Sequence, residues 1–545
     1  MNIGSHLVQR ALRLPPPRTR DLTVTRDLRV PMRDGAVLLA DHWRPADTPG
    51  LPTVLVRVPY GRAGLLGNSM ARPLAERGFQ VLIQSTRGTF GSDGPFDPLR
   101  REREDGLDTL DWVIAQPWFG ESMILFGPSY LGFVQWAVAD SLPPQVKAMI
   151  PVVTESALTL EFLRPDGFSL ETPFGWGVQV AGQERPFAMP RQLLGAKRVQ
   201  RALHTLPLNK ADHAAVGRRY DYLQDILVHD AGSPFWQALD HRDRVADTRV
   251  PVSSVGGWYD IFLPGQLRDF RVLQDAGRPA RLTVGPWTHT SPGSGALAVT
   301  EALGFGLDLA EGREPAGRAP VRLYVMGADT WRDFPSWPPP DHTPRRLHLQ
   351  PHAALDWRPP ADSEPDGYRY DPGDPTPAVG GVRLALGVKG GAVDQAPLES
   401  RADVLTYTTA VLDEDVEIVG EVSAEVWFRS SLPYADVFVR LCDVDGKGRS
   451  VNVCDGLTGL TGADEVTCAQ VKLWPTAYRF RRGHRIRVQV SSGAFPRYNR
   501  NPGTGEPRAT ATALRAADQL VFHDPGRPSA VVLPVRALSP GSAPG

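Results

Sequence analysis

Short apolar runs alternate with amphipathic segments in the first part of the chain. Residues 53–58 (TVLVRV), 79–85 (FQVLIQS) and 146–153 (VKAMIPVV) are continuous runs of apolar and β-branched residues. Such runs are typical of strands that are buried on both faces. Residues 101–116 carry apolar side chains at helical spacing, and the alternation returns over residues 248–289. The pattern predicts an α/β fold with a mostly parallel sheet and helices on both faces.

Two regions depart from this pattern. Residues 155–246 contain helical patches rich in Arg, Leu and aromatic residues, which predicts an inserted helical cap. Beyond about residue 340, short alternating strands are separated by turn residues, as in an antiparallel sandwich or jelly roll. The predicted domains are a core in two parts with the cap between them, followed by the jelly roll: 21–154, 155–246, 247–338 and 339–540.

Composition narrows the function classes. The formal net charge of −1 and the scattered Lys and Arg residues argue against a nucleic-acid partner. The three cysteines lack metal-ligand spacing, and H-E-x-x-H is absent, so we expect neither a metal nor a cofactor. No apolar run is long enough to span a bilayer and no signal peptide is recognisable, so we expect a cytoplasmic protein without a membrane partner.

A serine lies between two glycines in residues 127–132, GPSYLG. An apolar run precedes it and a helical pattern follows it, as in the nucleophile elbow G-x-S-x-G of α/β hydrolases, although the second glycine lies one residue later here. Glycine, proline and serine are also common in tight turns, so an ordinary turn is the alternative for Ser129.

A serine nucleophile needs a base and an acid that orients the base. In α/β hydrolases these follow the serine in the order acid, then histidine, at strand carboxyl ends. Asp260 ends the run SVGGWYD, and His289 ends LTVGPWTH. The order favours a triad of Ser129, Asp260 and His289 over a helix N-cap role for Asp260.

An acyl-transfer enzyme also needs hydrogen-bond donors for an oxyanion. The backbone N–H of Tyr130, directly after the serine, is the usual first donor. The early loop RVPYGR has no glycine cluster to supply the second, but it contains Tyr60, whose hydroxyl could donate. The alternative for Tyr60 is an aromatic residue packed at a turn.

Together these motifs resemble the family of cocaine esterase, α-amino acid ester hydrolases and X-prolyl dipeptidyl peptidases. VRVPYGR, GPSYLG, GGWYDIF and GPWTH occur in the family's order, and residues 483–505 are similar to its jelly-roll signature. The resemblance implies an α/β hydrolase with an inserted helical cap and a C-terminal jelly roll, with Ser129, His289 and Asp260 as the triad. It implies Tyr60 and Tyr130 as the oxyanion hole. One departure is Ser85, where the family commonly has aspartate in D-x-R-G.

We therefore expect a serine esterase that acts on a small-molecule ester or amide, and association into a homo-oligomer is compatible with the family. The alternatives are an X-prolyl peptidase or acylase, a biosynthetic acyltransferase, and a binding protein with an inactive hydrolase domain. A peptidase would need carboxylates for a substrate amine, such as Glu171 or Glu184 of the insert. Aromatic residues that could line the pocket, or merely pack helices together, are Phe162, Phe168, Trp176 and Phe262.

Overall fold

The computed structural model describes residues 6, 9–10, 12–64, 67–158, 168–230 and 232–536. Its first part is built on a ten-stranded sheet, and its last part is all β. These observations confirm the predicted fold class. Within the described part of the chain, no helix has the length and apolar character needed to cross a membrane. The domain boundaries stay predictions.

The first sheet has the strand order β1-β2-β4-β3-β5-β6-β7-β8-β9-β10. All neighbours from β4 through β3 to β9 are parallel, while β1, β2 and β10 join the edges in antiparallel pairs. The strands are β1 Leu22–Pro31, β2 Val37–Pro45, β3 Thr53–Val58, β4 Gln80–Ser85, β5 Met123–Pro128, β6 Val146–Val152, β7 Val252–Tyr259, β8 Ala280–Thr288, β9 Val321–Val325 and β10 Thr330–Phe334.

Every residue of β3, β4 and β7 is buried, as expected for strands covered on both faces. Successive side chains of a strand point to opposite faces. Val54 and Val56 accordingly join one apolar core, whereas Leu55 joins a second core with Leu82 and Leu125. The continuous apolar runs in the sequence are thus explained by two cores that sandwich one sheet.

Helices cover the sheet and form the segment between β6 and β7. The α-helices are Arg72–Ala75, Glu102–Ile114, Tyr130–Trp136, Glu171–Val180, Ala188–Ala202, Ala211–Val216, Asp221–Val228, Arg242–Val245, Leu263–Asp275, Pro292–Glu301, Leu307–Ala310 and Ala396–Glu399. Short 3₁₀ segments are Ala139–Ser141, Leu208–Lys210 and Pro234–Leu239, and π-helical turns are Gly67–Ala71 and Ala302–Gly306. The described residues between β6 and β7 are therefore mainly helical; we refer to residues 168–246 as the insert.

The C-terminal part forms a fourteen-stranded, almost entirely antiparallel sheet. Its strands are β11 His342–Gln350, β12 Ala354–Asp356, β13 Asp366–Tyr370, β14 Leu405–Thr408, β15 Val416–Gly420, β16 Ser423–Ser430, β17 Tyr434–Val444, β18 Ser450–Thr461, β19 Thr467–Lys472, β20 Thr476–Phe480, β21 Arg485–Ser491, β22 Ala517–Asp524, β23 Arg527–Pro528 and β24 Ala530–Arg536. The loop after β21 contacts the insert, because the backbone N–H groups of Leu170 and Glu171 donate to the carbonyls of Arg497 and Pro496. This contact fixes one end of the insert.

Candidate active site

Ser129 occupies a strained turn between β5 and the helix Tyr130–Trp136. Its backbone has φ 59° and ψ −123°, a region that non-glycine residues rarely adopt. Such strain costs about 1–3 kcal/mol and persists only where the surroundings impose it. Here the Ser129 N–H donates to the Val152 carbonyl of β6, and its carbonyl accepts from the N–H groups of Gly132 and Phe133. The turn is therefore held by the sheet and by the helix together.

Both glycines of the serine motif are required by close packing. A Cβ atom at Gly127 would lie 2.3 Å from Cβ of Leu131, and one at Gly132 would lie 2.4 Å from Cγ2 of Thr154. Gly127 also has φ 152°. Moving the second glycine one residue along, relative to the short motif, places it where the helix passes the end of β6.

Asp260 and His289 form a buried pair at the ends of β7 and β8. Their side chains are joined by a 2.7 Å hydrogen bond between His289 Nδ1 and Asp260 Oδ2. Asp260 is fully buried, and His289 is almost so. The other Asp260 oxygen accepts from the Phe262 N–H at 2.8 Å. A carboxylate in this position fixes the tautomer of the imidazole and leaves Nε2 to face a reacting group.

The C-terminal β region also contacts the loop that carries Asp260. Trp474 Nε1 donates to the backbone carbonyl of Asp260 at 3.1 Å. The Phe262 ring packs edge-on against His289 with centroids 5.4 Å apart. Sequence reasoning did not identify Trp474, because no local pattern connects it to a loop more than two hundred residues earlier.

The three residues proposed as a triad lie at one edge of the sheet. They follow β5, β7 and β8, whose carboxyl ends meet there. The Asp260–His289 bond is formed, whereas no hydrogen bond joins Ser129 Oγ to His289 within the described residues. Catalytic hydrogen bonds are commonly long before a substrate binds.

Tyr60 follows β3 and lines the same small cavity as Ser129. Its hydroxyl oxygen accepts a 2.9 Å hydrogen bond from Trp176 Nε1 of the insert. Burial raises the pKa of Tyr60 to about 12, so the hydroxyl keeps its proton at ordinary pH. Because the indole N–H occupies an acceptor position on the oxygen, the phenolic proton is available to donate elsewhere.

The Tyr130 side chain is anchored below the serine turn. Its hydroxyl donates to Glu102 Oε1 at 2.6 Å and accepts from the Leu99 N–H at 2.9 Å. Glu102 is in turn paired with Arg57 at 2.9 Å. Burial raises the pKa of both Tyr130 and Glu102. The backbone N–H of Tyr130, at the first helical position, has no intrahelical acceptor and can serve a ligand.

This buried network was missed by sequence reasoning. Arg57 is the one charged residue in the run TVLVRV, and a cation inside an apolar strand requires a partner. That signal could have pointed to a buried carboxylate. It could not have identified Glu102, which is 45 residues away in the helix Glu102–Ile114.

The cavity next to Ser129 is small, about 20 Å³, and mainly apolar. It is lined by Tyr60, Leu99, Ser129, Tyr130, Phe133, Leu158, Trp176, Ile261, Phe262 and Leu384. Two of the predicted pocket aromatics, Trp176 and Phe262, are in this set. Phe168 instead packs edge-on against Tyr498 of the C-terminal part, with centroids 5.5 Å apart. Phe162 lies outside the described residues.

Ser85, where the family resemblance implies an aspartate, has a hydrogen-bonding role. Its hydroxyl accepts from Arg62 Nη1 at 3.1 Å, and Arg62 also donates to Asp41 at 3.0 Å. Asp41 of β2 therefore supplies the carboxylate for the arginine in this buried region. The serine leaves the local network intact.

Comparison with known proteins places two family models on the chain. X-Pro dipeptidyl-peptidase (S15 family) matches residues 34–291, and the X-Pro dipeptidyl-peptidase C-terminal non-catalytic domain matches residues 316–532. The cocaine esterase of Rhodococcus sp. is 33% identical, over 94% of this chain and 98% of its own length.

Solved structures share the fold across nearly the whole chain. An aminopeptidase from a marine sediment Thaumarchaeota archaeon has a TM-score of 0.82 at 22% identity, covering 95% of this chain and 97% of its own. An α-amino acid ester hydrolase has a TM-score of 0.80 at 22% identity, covering 96% and 98%. At this identity the likeness concerns the fold.

Proposed function

The chain belongs to the family of cocaine esterase and the S15 X-Pro dipeptidyl-peptidases and is a serine hydrolase; on that premise we propose that it cleaves carboxylic esters through an acyl-enzyme on Ser129. The observation that supports this assignment is the buried 2.7 Å bond between His289 and Asp260, at the same sheet edge as the strained Ser129. No other histidine in the described chain follows a strand of the first sheet at this edge.

In the proposed reaction His289 Nε2 takes the proton of Ser129 as its oxygen attacks the ester carbonyl. The Asp260 carboxylate stabilises the imidazolium that forms. His289 then protonates the departing alcohol, and the acyl group stays on Ser129. A water molecule, deprotonated by His289, attacks the acyl-enzyme and releases the carboxylic acid with the serine restored.

The proposed oxyanion hole consists of the Tyr130 N–H and the Tyr60 hydroxyl. The arguments for it are the free position of the first helical N–H and the raised pKa of Tyr60, about 12, which keeps that hydroxyl a donor. A cavity of low polarity around both groups strengthens such hydrogen bonds.

Ester cleavage is favoured over release of dipeptides. A peptide substrate would bring an α-ammonium group, which needs a free carboxylate near the site. Glu171 of the insert, one of the expected carboxylates, is already bound by Arg383 through Nε at 2.8 Å and Nη2 at 2.5 Å. Glu184, another of them, accepts from the Phe90 N–H at 3.0 Å.

An active-site label tests the assignment. A fluorophosphonate probe should modify the purified protein at Ser129, and Ser129→Ala should lose both the label and the hydrolysis of p-nitrophenyl acetate. Ser122→Ala, directly before the strand β5 that leads to Ser129, is a matched control that should keep both. Labelling of folded Ser129→Ala, or no labelling of the wild type, would contradict the proposal.

A further inference from the structure

A second and much larger cavity, of about 410 Å³, adjoins the small cavity at Ser129. It lies between the insert and residues 384–387 of the C-terminal part. Trp176 and Leu384 line both cavities, and Thr290, directly after His289, lines the large one. A ligand in the large cavity would therefore reach the reacting centre from the side of the histidine.

The large cavity is strongly basic. Its lining includes four arginines: Arg185, Arg191, Arg198 and Arg218. None of the four has an ion pair with a carboxylate within the described part of the chain, in contrast to Arg57, Arg268 and Arg383. The lining contains one carboxylate, Glu171, and Arg383 neutralises it. A cavity with unpaired guanidinium groups attracts anions and holds them by charge-assisted hydrogen bonds.

The two cavities differ in the groups that they can accept. The small one is apolar and borders Ser129 and Tyr60, which suits a short acyl group. The large one is lined by Thr290, which directly follows His289, the residue from which a departing alcohol takes its proton. The alcohol half of the ester therefore belongs in the large cavity.

From this arrangement we propose that the enzyme prefers esters of a short apolar acid whose alcohol or phenol half carries an anionic group, such as a carboxylate, which the insert arginines bind. This inference rests on the proposed function. In the reaction the bond between Ser129 Oγ and the acyl carbon forms, and the bond from that carbon to the alcohol oxygen breaks. The alcohol leaves with the proton from His289 and keeps its anionic group, and water then releases the acid.

A matched pair of substrates and two double variants test the inference. p-Acetoxybenzoate carries a carboxylate on the leaving phenol, and p-acetoxybenzamide is its neutral counterpart. Arg191→Gln/Arg198→Gln should lower kcat/KM for the benzoate about ten- to hundredfold more than for the benzamide. Dividing kcat/KM of the variant by that of the wild type for each substrate removes the difference in intrinsic reactivity between the two esters. Lys197→Gln/Arg201→Gln, on the same helix but outside the cavity lining, should leave the ratio unchanged.

Salt and acyl-side substrates add two independent readouts. Raising NaCl from about 0.05 to 0.5 M should reduce the preference for the benzoate, because these arginines are exposed. A pair with the charge on the acyl side, p-nitrophenyl hydrogen glutarate and p-nitrophenyl pentanoate, should respond equally to the arginine variant. The inference would be overturned if the arginine variant lost kcat/KM equally for p-acetoxybenzoate and p-acetoxybenzamide. A loss confined to p-nitrophenyl hydrogen glutarate would overturn it as well. If the proposed function were wrong instead, hydrolysis of the ester bond of p-acetoxybenzamide would not depend on Ser129.

Discussion

The sheet edge that carries Ser129, Asp260 and His289 and the insert above it are constructed in opposite ways. At the sheet edge the acid is fully buried and both its carboxylate oxygens are hydrogen-bonded. In the insert, the helix Ala188–Ala202 buries only its last residue and exposes Leu193, Leu194 and its basic side chains.

The difference indicates how the two regions divide their work. Bond making needs groups fixed to within a fraction of an ångström, and buried hydrogen bonds at strand ends supply that. Selection of the alcohol half needs charge and space, which exposed side chains on a helix provide. Substitutions at the sheet edge should therefore affect every ester, whereas substitutions in the insert should distinguish between esters.

The largest expected effect is that of Asp260→Asn at the sheet edge. An amide in this place would hold His289 in the wrong tautomer, and kcat should fall about 10⁴-fold for all esters alike. Initial rates on acetate, butyrate and pentanoate p-nitrophenyl esters, together with thermal unfolding, measure this. Asp269→Asn, which alters a buried carboxylate bonded to Ser156, is the control for a general loss of stability. A loss of kcat confined to some of the esters would contradict the division of roles between the sheet edge and the insert.

The next largest effect should come from Tyr60→Phe. The variant keeps the ring but removes the proposed oxyanion donor, so kcat should fall on the order of 10²–10³-fold with little change in KM. The fold should persist, because among the described residues the hydroxyl has a single side-chain hydrogen-bond partner, Trp176. Tyr324→Phe is a suitable control, since it also removes a phenolic hydroxyl. Near-wild-type kcat in Tyr60→Phe would exclude Tyr60 from the oxyanion hole.

A smaller effect concerns the junction of the insert with the sheet, at His241. Its ring packs against Phe133 of the helix after Ser129, with centroids 5.0 Å apart. Burial, assisted by the neighbouring Arg244 charge, lowers the pKa of His241 from 6.5 to about 4. Between these values the unfolded chain binds a proton that the folded chain does not, so the stability contribution is present above pH 6.5 and is lost as the pH falls toward 4.

At pH 5 the protonation of His241 in the unfolded chain should lower the free energy of unfolding by about 1–2 kcal/mol relative to pH 7.5. Urea unfolding at both pH values measures it. His241→Gln should reduce the difference between the two pH values, whereas His352→Asn, at an exposed turn, should keep it. An unchanged difference in His241→Gln would show that other groups govern acid sensitivity at this junction.

The contrast between the sheet edge and the insert also explains how much of the structure could be predicted from the sequence. Buried strands and the serine motif are local patterns, so the sheet and the order of Ser129, Asp260 and His289 could be predicted. The bond from Trp176 to Tyr60 joins residues 116 positions apart, and only the packing of the insert brings them together.

The basic cavity is likewise formed by the packing of the insert, which no local sequence pattern reveals. Its four arginines are spread over residues 185–218 in a chain whose net charge is −1, so composition conceals them. Phe168 shows the reverse case: an aromatic residue in the insert suggested a pocket wall, yet its ring packs against Tyr498. Phe168 lies in a turn before the helix Glu171–Val180, and the direction of such a side chain depends on tertiary contacts that periodicity does not reveal.

The smallest expected effect tests the hydrogen bond from Trp176 of the insert to Tyr60 beside the sheet edge. Trp176→Phe keeps an aromatic ring but removes the N–H that orients the Tyr60 hydroxyl, and kcat should fall about two- to tenfold. If Trp176 acts through Tyr60, the same substitution in Tyr60→Phe should cost almost nothing, and a double-mutant cycle measures this coupling. Additive losses would mean that Trp176 contributes only as a wall of the two cavities. Trp236→Phe, an insert tryptophan that lines neither cavity, is the matched control. Strong coupling would show that the insert, besides selecting the ester, helps to hold the oxyanion donor in place.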